Sequence, residues 1–384
     1  MERTEERSTG PEPADPGDGP HATERTGASP LRIVSVLVGA AVAVVLFLVA
    51  FNYLREPNAN RAAVVTVAIV VGAGGIFLLF WVMNRVVDLL SERFRETVRP
   101  YVFVGPALVI LTVFLVYPVF NTIFISFENS SSTEFVGLDN YRFVFTDVNM
   151  LRSIRNTAGW LVLVPLVAVG IGLAFATMAD RLRRGEAVAK SLIFLPMAIS
   201  FAGASITWQL IYSYRPQGFG SNIGLLNGIM LGLGQEPERW LEFRPWNNLF
   251  LMVIMVWMQT GFAMVVLSAA IKAIPDEIIE AARIDGASEL QVFWRIIVPT
   301  IVPTIVVVTT YMVINAMKVF DIVFVQPANA ETNGTVVMAE RMIRWFFQLN
   351  HNGRGAAVAV VLFLAVIPVM IWNMRRFREQ EAIR

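Results

Sequence analysis

The sequence predicts an all-α, polytopic membrane protein with eight transmembrane helices and both termini on the cytoplasmic side. Three features carry that expectation. Hydrophobic residues fill 55% of the 384 positions and charged residues only 16%, against about 25% charged in soluble chains. Uncharged runs long enough to cross a bilayer core, about 20 residues as helix, occur at Ile33–Leu54, Ala62–Asn84, Tyr101–Phe127, Asn156–Ala179, Ser191–Tyr214, Pro245–Ile271, Ile296–Met317 and Gly355–Met374. Basic residues gather on alternate connections, notably Arg85–Arg99 and Arg181–Lys190, and basic loops stay in the cytoplasm.

Residues 1–30 precede the first run. They are rich in Glu, Asp, Gly, Pro, Ser and Thr with no apolar period, so they read as a disordered cytoplasmic tail. So long a polar stretch does not resemble a cleavable leader, and the first run reads as a retained anchor. Residues 31–99 hold two helices and a connector. In that connector Val87, Leu90, Phe94 and Val98 share one stripe over Val86–Val98, as in an amphipathic interfacial helix. Residues 100–374 hold the other six runs, and residues 375–384 form a second cytoplasmic tail. Lipid offers no partner to free backbone groups, so helices are the expected form throughout. Pro118, Pro165, Pro196, Pro303 and Pro368 fall inside runs, where a missing N–H can kink a helix and suit a moving gate.

Composition also removes chemistries. The chain has no Cys and two His, His21 and His351, both in polar segments. Thiol chemistry, a His-based metal centre and a catalytic triad are therefore not expected. Lys190, Lys272 and Lys318 are the three lysines, and none follows a glycine-rich phosphate loop, so no nucleotide cofactor is expected on this chain. A net charge of +1 gives no field for nucleic acid. No catalytic residues are assigned, and the chain is not expected to be an enzyme.

The connection 272–299 is the most informative. Pro275 suits a first helical turn, and Asp276 and Glu277 complement its positive end. Ile278, Ala281, Ala282 and Ile284 make an apolar face, and Gly286 after Asp285 can end the helix left-handed. Ser288 with Gln291 is a capping-box pattern for a second helix. The expectation is helix, glycine break, helix, showing apolar surface to a cytosolic partner.

These residues resemble the EAA loop of ABC-importer permeases, whose pattern is E-A-A-x3-G-x9-I-x-L-P. Here Glu280-Ala281-Ala282 leads to Gly286, then to Ile296-Ile297-Val298-Pro299, with Val298 in place of Leu. The resemblance covers about residues 100–384, as a six-helix MetI-like permease core. The first two helices look like the additional pair of MalF-like carbohydrate permeases. Phe135–Tyr141 and Lys318-Val-Phe-Asp321 resemble family segments, and Gly353–Pro368 with the tail from Arg375 looks like alpha-glucoside permeases. The large external domain of the enteric maltose permease is absent, and Gln326-Pro-Ala-Asn-Ala stands where Gly-Gly-Pro is usual.

The resemblance implies a bacterial plasma-membrane permease subunit that carries a sugar of the oligosaccharide or alpha-glucoside type. It implies a second permease subunit, a dimer of ATPase subunits holding ATP and Mg, and an external solute-binding protein. Coupling to the ATPase would fall on Glu280, Ala281, Ala282, Asp285, Gly286 and Pro299. By position, Phe201, Gln259, Phe262, Lys318 and Asp321 are candidates for the substrate path. Polar groups inside the apolar runs support such a path: Ser200, Ser205, Thr207, Trp208 and Gln209; Trp257, Gln259 and Thr260; Asn315, Lys318 and Asp321. Lys318 and Asp321, three apart, would share one helix face and neutralise each other, or form a structural ion pair. A permease for a non-sugar solute and a self-sufficient secondary carrier remain alternatives, although the internal repeat usual in such carriers is not evident.

Overall fold

The computed structural model describes residues 30–57, 59–90, 92–180, 182, 184–216, 220, 224–326 and 334–381. The tail 1–29, Arg181, Arg183, the segment 327–333 and residues 382–384, on which parts of the sequence reading fall, lie outside them. The chain divides into two units, Met1–Tyr117 and Pro118–Arg384.

In the first unit, α1 (Pro30–Leu54) packs on α2 (Arg61–Val87), followed by α3 (Glu92–Leu111). Asn60 caps α2 by accepting from the Ala62 N–H at 2.9 Å. The Trp81 ring lies against α1 at Gly39, and Phe80 stacks on Phe103 with centroids 5.6 Å apart. The apolar windows of these helices are unburied, as lipid-facing surface requires. The separate amphipathic helix expected over Val86–Val98 does not form. Val86 and Val87 finish α2, a turn follows at Asp88–Leu90, and Phe94 and Val98 belong to α3.

The second unit is built on α6 (Val148–Asp180), α10 (Asn247–Lys272) and α13 (Val298–Met317). Around them lie α4 (Tyr117–Ile125), α5 (Asp139–Thr146), α7 (Glu186–Phe194), α8 (Phe201–Ile211) and α9 (Leu225–Gly232). Short α11 (Asp276–Ile284) and α12 (Glu289–Val292) connect α10 to α13. Then come α14 (Asp321–Phe324), α15 (Met338–Ile343) and α16 (Asn352–Glu381). Among the described residues, three buried clusters fill this unit, one of them joining Val144, Met150, Met317 and Leu362. Of the other two, the first gathers Trp160, Val164, Met255, Met258, Ala316 and Ile322; the second gathers Ala168, Leu173, Met264, Leu267, Val308 and Met312.

Small residues set the helix spacing. A Cβ on Gly172 would lie 2.5 Å from the Ala263 Cβ, and one on Gly261 would lie 2.6 Å from the Phe194 Cα. Close backbone approach is how helices bind where burial from water gives no drive. Gly353 is as tight. Its Cβ would collide with the Glu128 carbonyl and lie 2.6 Å from the Asn140 Nδ2, which itself donates to the Ser126 and Glu128 carbonyls. We expect Gly353→Ala to destabilise the fold by about 1–3 kcal/mol, read as a lower unfolding midpoint in detergent; an unchanged midpoint would mean the junction relaxes.

Six helices among the described residues are long and apolar enough to cross a membrane. The fifth expected run is not one straight helix. Glu186–Ala198 and Phe201–Ile211 meet at 101°, because Pro196 opens a 3-10 turn and Ser200 caps a fresh helix through its Oγ and the Gly203 N–H. The eighth run lies in α16, whose apolar part, Asn352–Pro368, is shorter than the other spans. Two π-helical turns, Thr112–Val116 and Phe293–Ile297, each stop two residues before a proline, Pro118 and Pro299. A proline ring clashes with the carbonyl four residues back, and a widened turn relieves that clash.

Candidate functional site

The connection 272–299 forms as the sequence suggests, and its geometry explains the spacing of its residues. Pro275 is the extended residue that opens α11, with Asp276 and Glu277 in the first turn and Arg283 in the last. At the other end Asp285 is the cap and Gly286 adopts φ +82°. The Gly286 N–H donates to the Arg283 carbonyl at 3.1 Å, and the Ala287 N–H to the Ala282 carbonyl at 3.0 Å. That pair of bonds is the Schellman ending. It places the second Ala of Glu280-Ala281-Ala282 four residues before a left-handed position, which Gly holds without strain.

Ser288 then caps α12. Its N–H donates to the Gln291 Oε1 at 2.8 Å, and the Gln291 N–H donates to the Ser288 Oγ at 3.4 Å. Arg283 Nε reaches Glu289 Oε1 at 2.8 Å, bridging the two short helices, and the carboxylate pushes the guanidinium pKa up. Glu280, Ala281, Asp285 and Gly286 are exposed and Ala282 is half-buried. Ile284 is 86% exposed and Leu290 68%. Ile279 turns inward to the second core cluster. Pro299 sits in the first turn of α13.

Next to this segment lies a charged group whose members come from two stretches far apart along the chain. Lys190 Nζ donates to Asp180 Oδ1 at 2.7 Å and to Glu186 Oε1 at 2.6 Å. Ser268 Oγ donates to Asp180 Oδ1 at 2.7 Å, Lys272 lies 3.8 Å from the same oxygen, and Lys272 also bonds Glu186. The end of α6, the start of α7 and the end of α10 are thus pinned by two lysines and two carboxylates. In sequence the two lysines register only as positive loop charge.

The candidate path residues separate into distinct environments. Phe201 packs on the first cluster and Phe262 on the second, where its ring lies 4.4 Å from that of Tyr311. Most polar groups of the spans bond their own helix: Ser205 to the Phe201 carbonyl, Thr207 to Gly203, Thr260 to Val256 and Asn315 to Tyr311. Gln209 donates across to the Val325 carbonyl at 2.6 Å. Gln259 is buried on α10 with its Oε1 unpartnered, as is the indole N–H of Trp208 on α8.

Lys318 and Asp321 do not form the expected pair. α13 stops at Met317, Lys318 is its exposed C-terminal cap, and half-buried Asp321 begins α14. The helix face that would join them is interrupted, because Val319, Ile322 and Val323 turn into the first core cluster. The deeply buried charges are instead Glu340 and Arg341 on α15, at 4% and 3% exposure. Neighbouring backbone is held by α6: Asn156 Nδ2 donates to the Gly334 and Val336 carbonyls at 2.8 Å each, and the Met338 N–H donates to Thr157 Oγ1 at 3.0 Å.

Residues 167–377 match the family described as binding-protein-dependent transport system inner membrane component. The chain is 51% identical over 282 residues to the osmoprotective compounds uptake permease protein GgtC of Synechocystis sp., covering 73% of this chain and all of that protein. It is 46% identical over 313 residues to the alpha-glucoside transport system permease protein AglF of Rhizobium meliloti, covering 77% and 91%. A solved bacterial ABC transporter involved in the import of the acidic polysaccharide alginate shares the fold, with TM-score 0.65, 22% identity and 75% and 99% of the two chains covered.

The chain belongs to the binding-protein-dependent transport system inner membrane components: it is a multi-pass permease subunit of an ABC importer in the bacterial inner membrane. It is not an enzyme, and it is not a self-sufficient carrier.

Proposed function

We propose that this permease imports a neutral glucoside or a related small sugar, alone in neither energy nor specificity. The sequence likeness to permeases named for osmoprotective compounds and for alpha-glucosides supports that substrate class. An external binding protein delivers the sugar, a second permease subunit completes the path, and a dimer of ATPase subunits holds ATP and Mg. In this reading the chain crosses the membrane eight times with both ends inside. Residues 1–30 and 375–384 are cytoplasmic tails, 31–99 add two helices and a connector, and 100–374 form the permease core. Segment 272–299 faces the cytosol and meets the ATPase through Glu280, Ala281, Ala282, Asp285 and Gly286, with Pro299 fixing the start of the next helix. The exposed Ile284 beside the Gly286 ending is the observation that carries this.

Phe201, Gln259, Phe262, Lys318 and Asp321 are our candidates for the path, with Gln259 foremost because its Oε1 is buried and unpaired. Co-purification with the partner subunits, followed by a scan of sugars for stimulated ATP hydrolysis, tests the reading. A neutral glucoside should stimulate most. Stimulation only by a non-sugar solute would overturn the sugar assignment and leave the permease. Within that assay Asp321→Ala should raise the half-saturating sugar concentration several-fold; an unchanged value would make Asp321 structural.

A further inference from the structure

At the far end of α10 from segment 272–299 lies a cavity of about 560 Å³. Its walls come from the end of α8, the stretch after it, residues 239–242 and Gln326. The walls are fixed by one side chain. Asn227, fully buried, donates to the Ser213 and Glu238 carbonyls at 2.9 and 3.0 Å and accepts from the Glu238 N–H and Trp240 Nε1 at 2.9 and 3.1 Å. It spends both amide donors on backbone and thereby sets three strands of chain around the cavity. Trp240 is braced edge-on against Phe250, with centroids 5.3 Å apart.

The lining chemistry is specific. Tyr214 and Trp240 contribute aromatic rings to the lining. Arg239 lies 5.0 Å over the Tyr214 ring and pairs with Glu242 at 3.1 Å. Donors and acceptors are present, and the paired charges cancel, which disfavours an anion. Gln326 is 7% exposed, donates to the Ser205 carbonyl at 3.3 Å, and leaves its Oε1 without a partner. That oxygen is closed off from solvent as it stands, and a buried acceptor left unpaired costs free energy that a turn of the side chain toward an incoming hydroxyl would recover. Ring faces beside neutral hydrogen-bonding groups suit a pyranose, whose C–H face is apolar and whose rim is hydroxylated. The volume lies within the range of small-molecule sites, about 300–1,000 Å³.

We propose that this cavity is a receiving subsite for one neutral sugar unit at the mouth of the permease, with a sugar hydroxyl donating to Gln326 Oε1. This rests on the sugar reading above. Gln326→Leu keeps the volume and removes the acceptor. In the full chain in nanodiscs, titration with maltose or trehalose, followed by tryptophan fluorescence, should saturate. Gln326→Leu should weaken the dissociation constant at least about tenfold, Trp240→Phe should remove most of the signal, and Glu242→Gln, at an exposed position, should weaken binding about threefold. Glycerol and glucose 1-phosphate should bind far less than either disaccharide. Equal affinities for wild type and Gln326→Leu, or preferred binding of the phosphate, would overturn the subsite. If the assembled wild-type importer still hydrolyses ATP in response to sugar, the failure is the subsite's alone. If neither binding nor sugar-stimulated hydrolysis occurs, both readings fall.

Discussion

Gly286→Pro should abolish uptake while leaving the protein inserted. The residue holds φ +82°, and its N–H closes the helix on the Arg283 carbonyl. Proline fixes φ near −65° and has no N–H to give, so both the left-handed turn and one Schellman bond are lost. Forcing such a position costs about 3 kcal/mol, equivalent to about a hundredfold weaker engagement of the docked segment. No Cβ contact crowds this glycine, so the damage is conformational and local. Gly286→Asn, which tolerates the left-handed region, should keep most uptake. Membrane yield, partner ATP hydrolysis and uptake measured together decide the matter. Wild-type uptake by a properly inserted Gly286→Pro would remove the segment from coupling.

Asp180→Ala should loosen the junction from which that segment springs. Asp180 Oδ1 accepts from Lys190 and Ser268 at 2.7 Å each and faces Lys272 at 3.8 Å. Lys190, 18% exposed, would then lose a charged partner where water reaches it poorly, whereas Lys272, 51% exposed, stays hydrated. Loss of charged hydrogen bonds of this kind costs about 2 kcal/mol. The variant should unfold at lower temperature in detergent and transport less sugar for each ATP hydrolysed. An unchanged midpoint with an unchanged transport ratio would mean that Glu186 alone holds both lysines.

Much of the fold was legible because the bilayer simplifies the code: long uncharged runs became the long helices. The 272–299 segment was legible because capping chemistry is local, and Gly286, Ser288 and Gln291 each do what their side chains dictate. The bend before α8 had local signals, Pro196 and Ser200, but the unbroken apolar run masked them. The break at Lys318 had none: no glycine or proline lies there, and core packing of Val319, Ile322 and Val323 ends the helix. The Asp180 cluster joins residues of distant helices, Asp180 and Ser268 being 88 apart in sequence, and the acceptor on Gln326 is defined only by what surrounds it. Pairings between distant helices are set by tertiary geometry, which periodicity does not encode.

The chain contains no Cys, so one introduced thiol reports on one place. Ile284→Cys puts that thiol on the most exposed aliphatic position of α11. Maleimide labelling of this variant, in inverted vesicles with and without the ATPase subunits, measures whether the segment docks there. Rapid labelling of the permease without the ATPase subunits, strong protection in the full complex, and return of labelling with Gly286→Pro are expected. Equal labelling with and without the ATPase subunits, or labelling only from the external side, would contradict docking there.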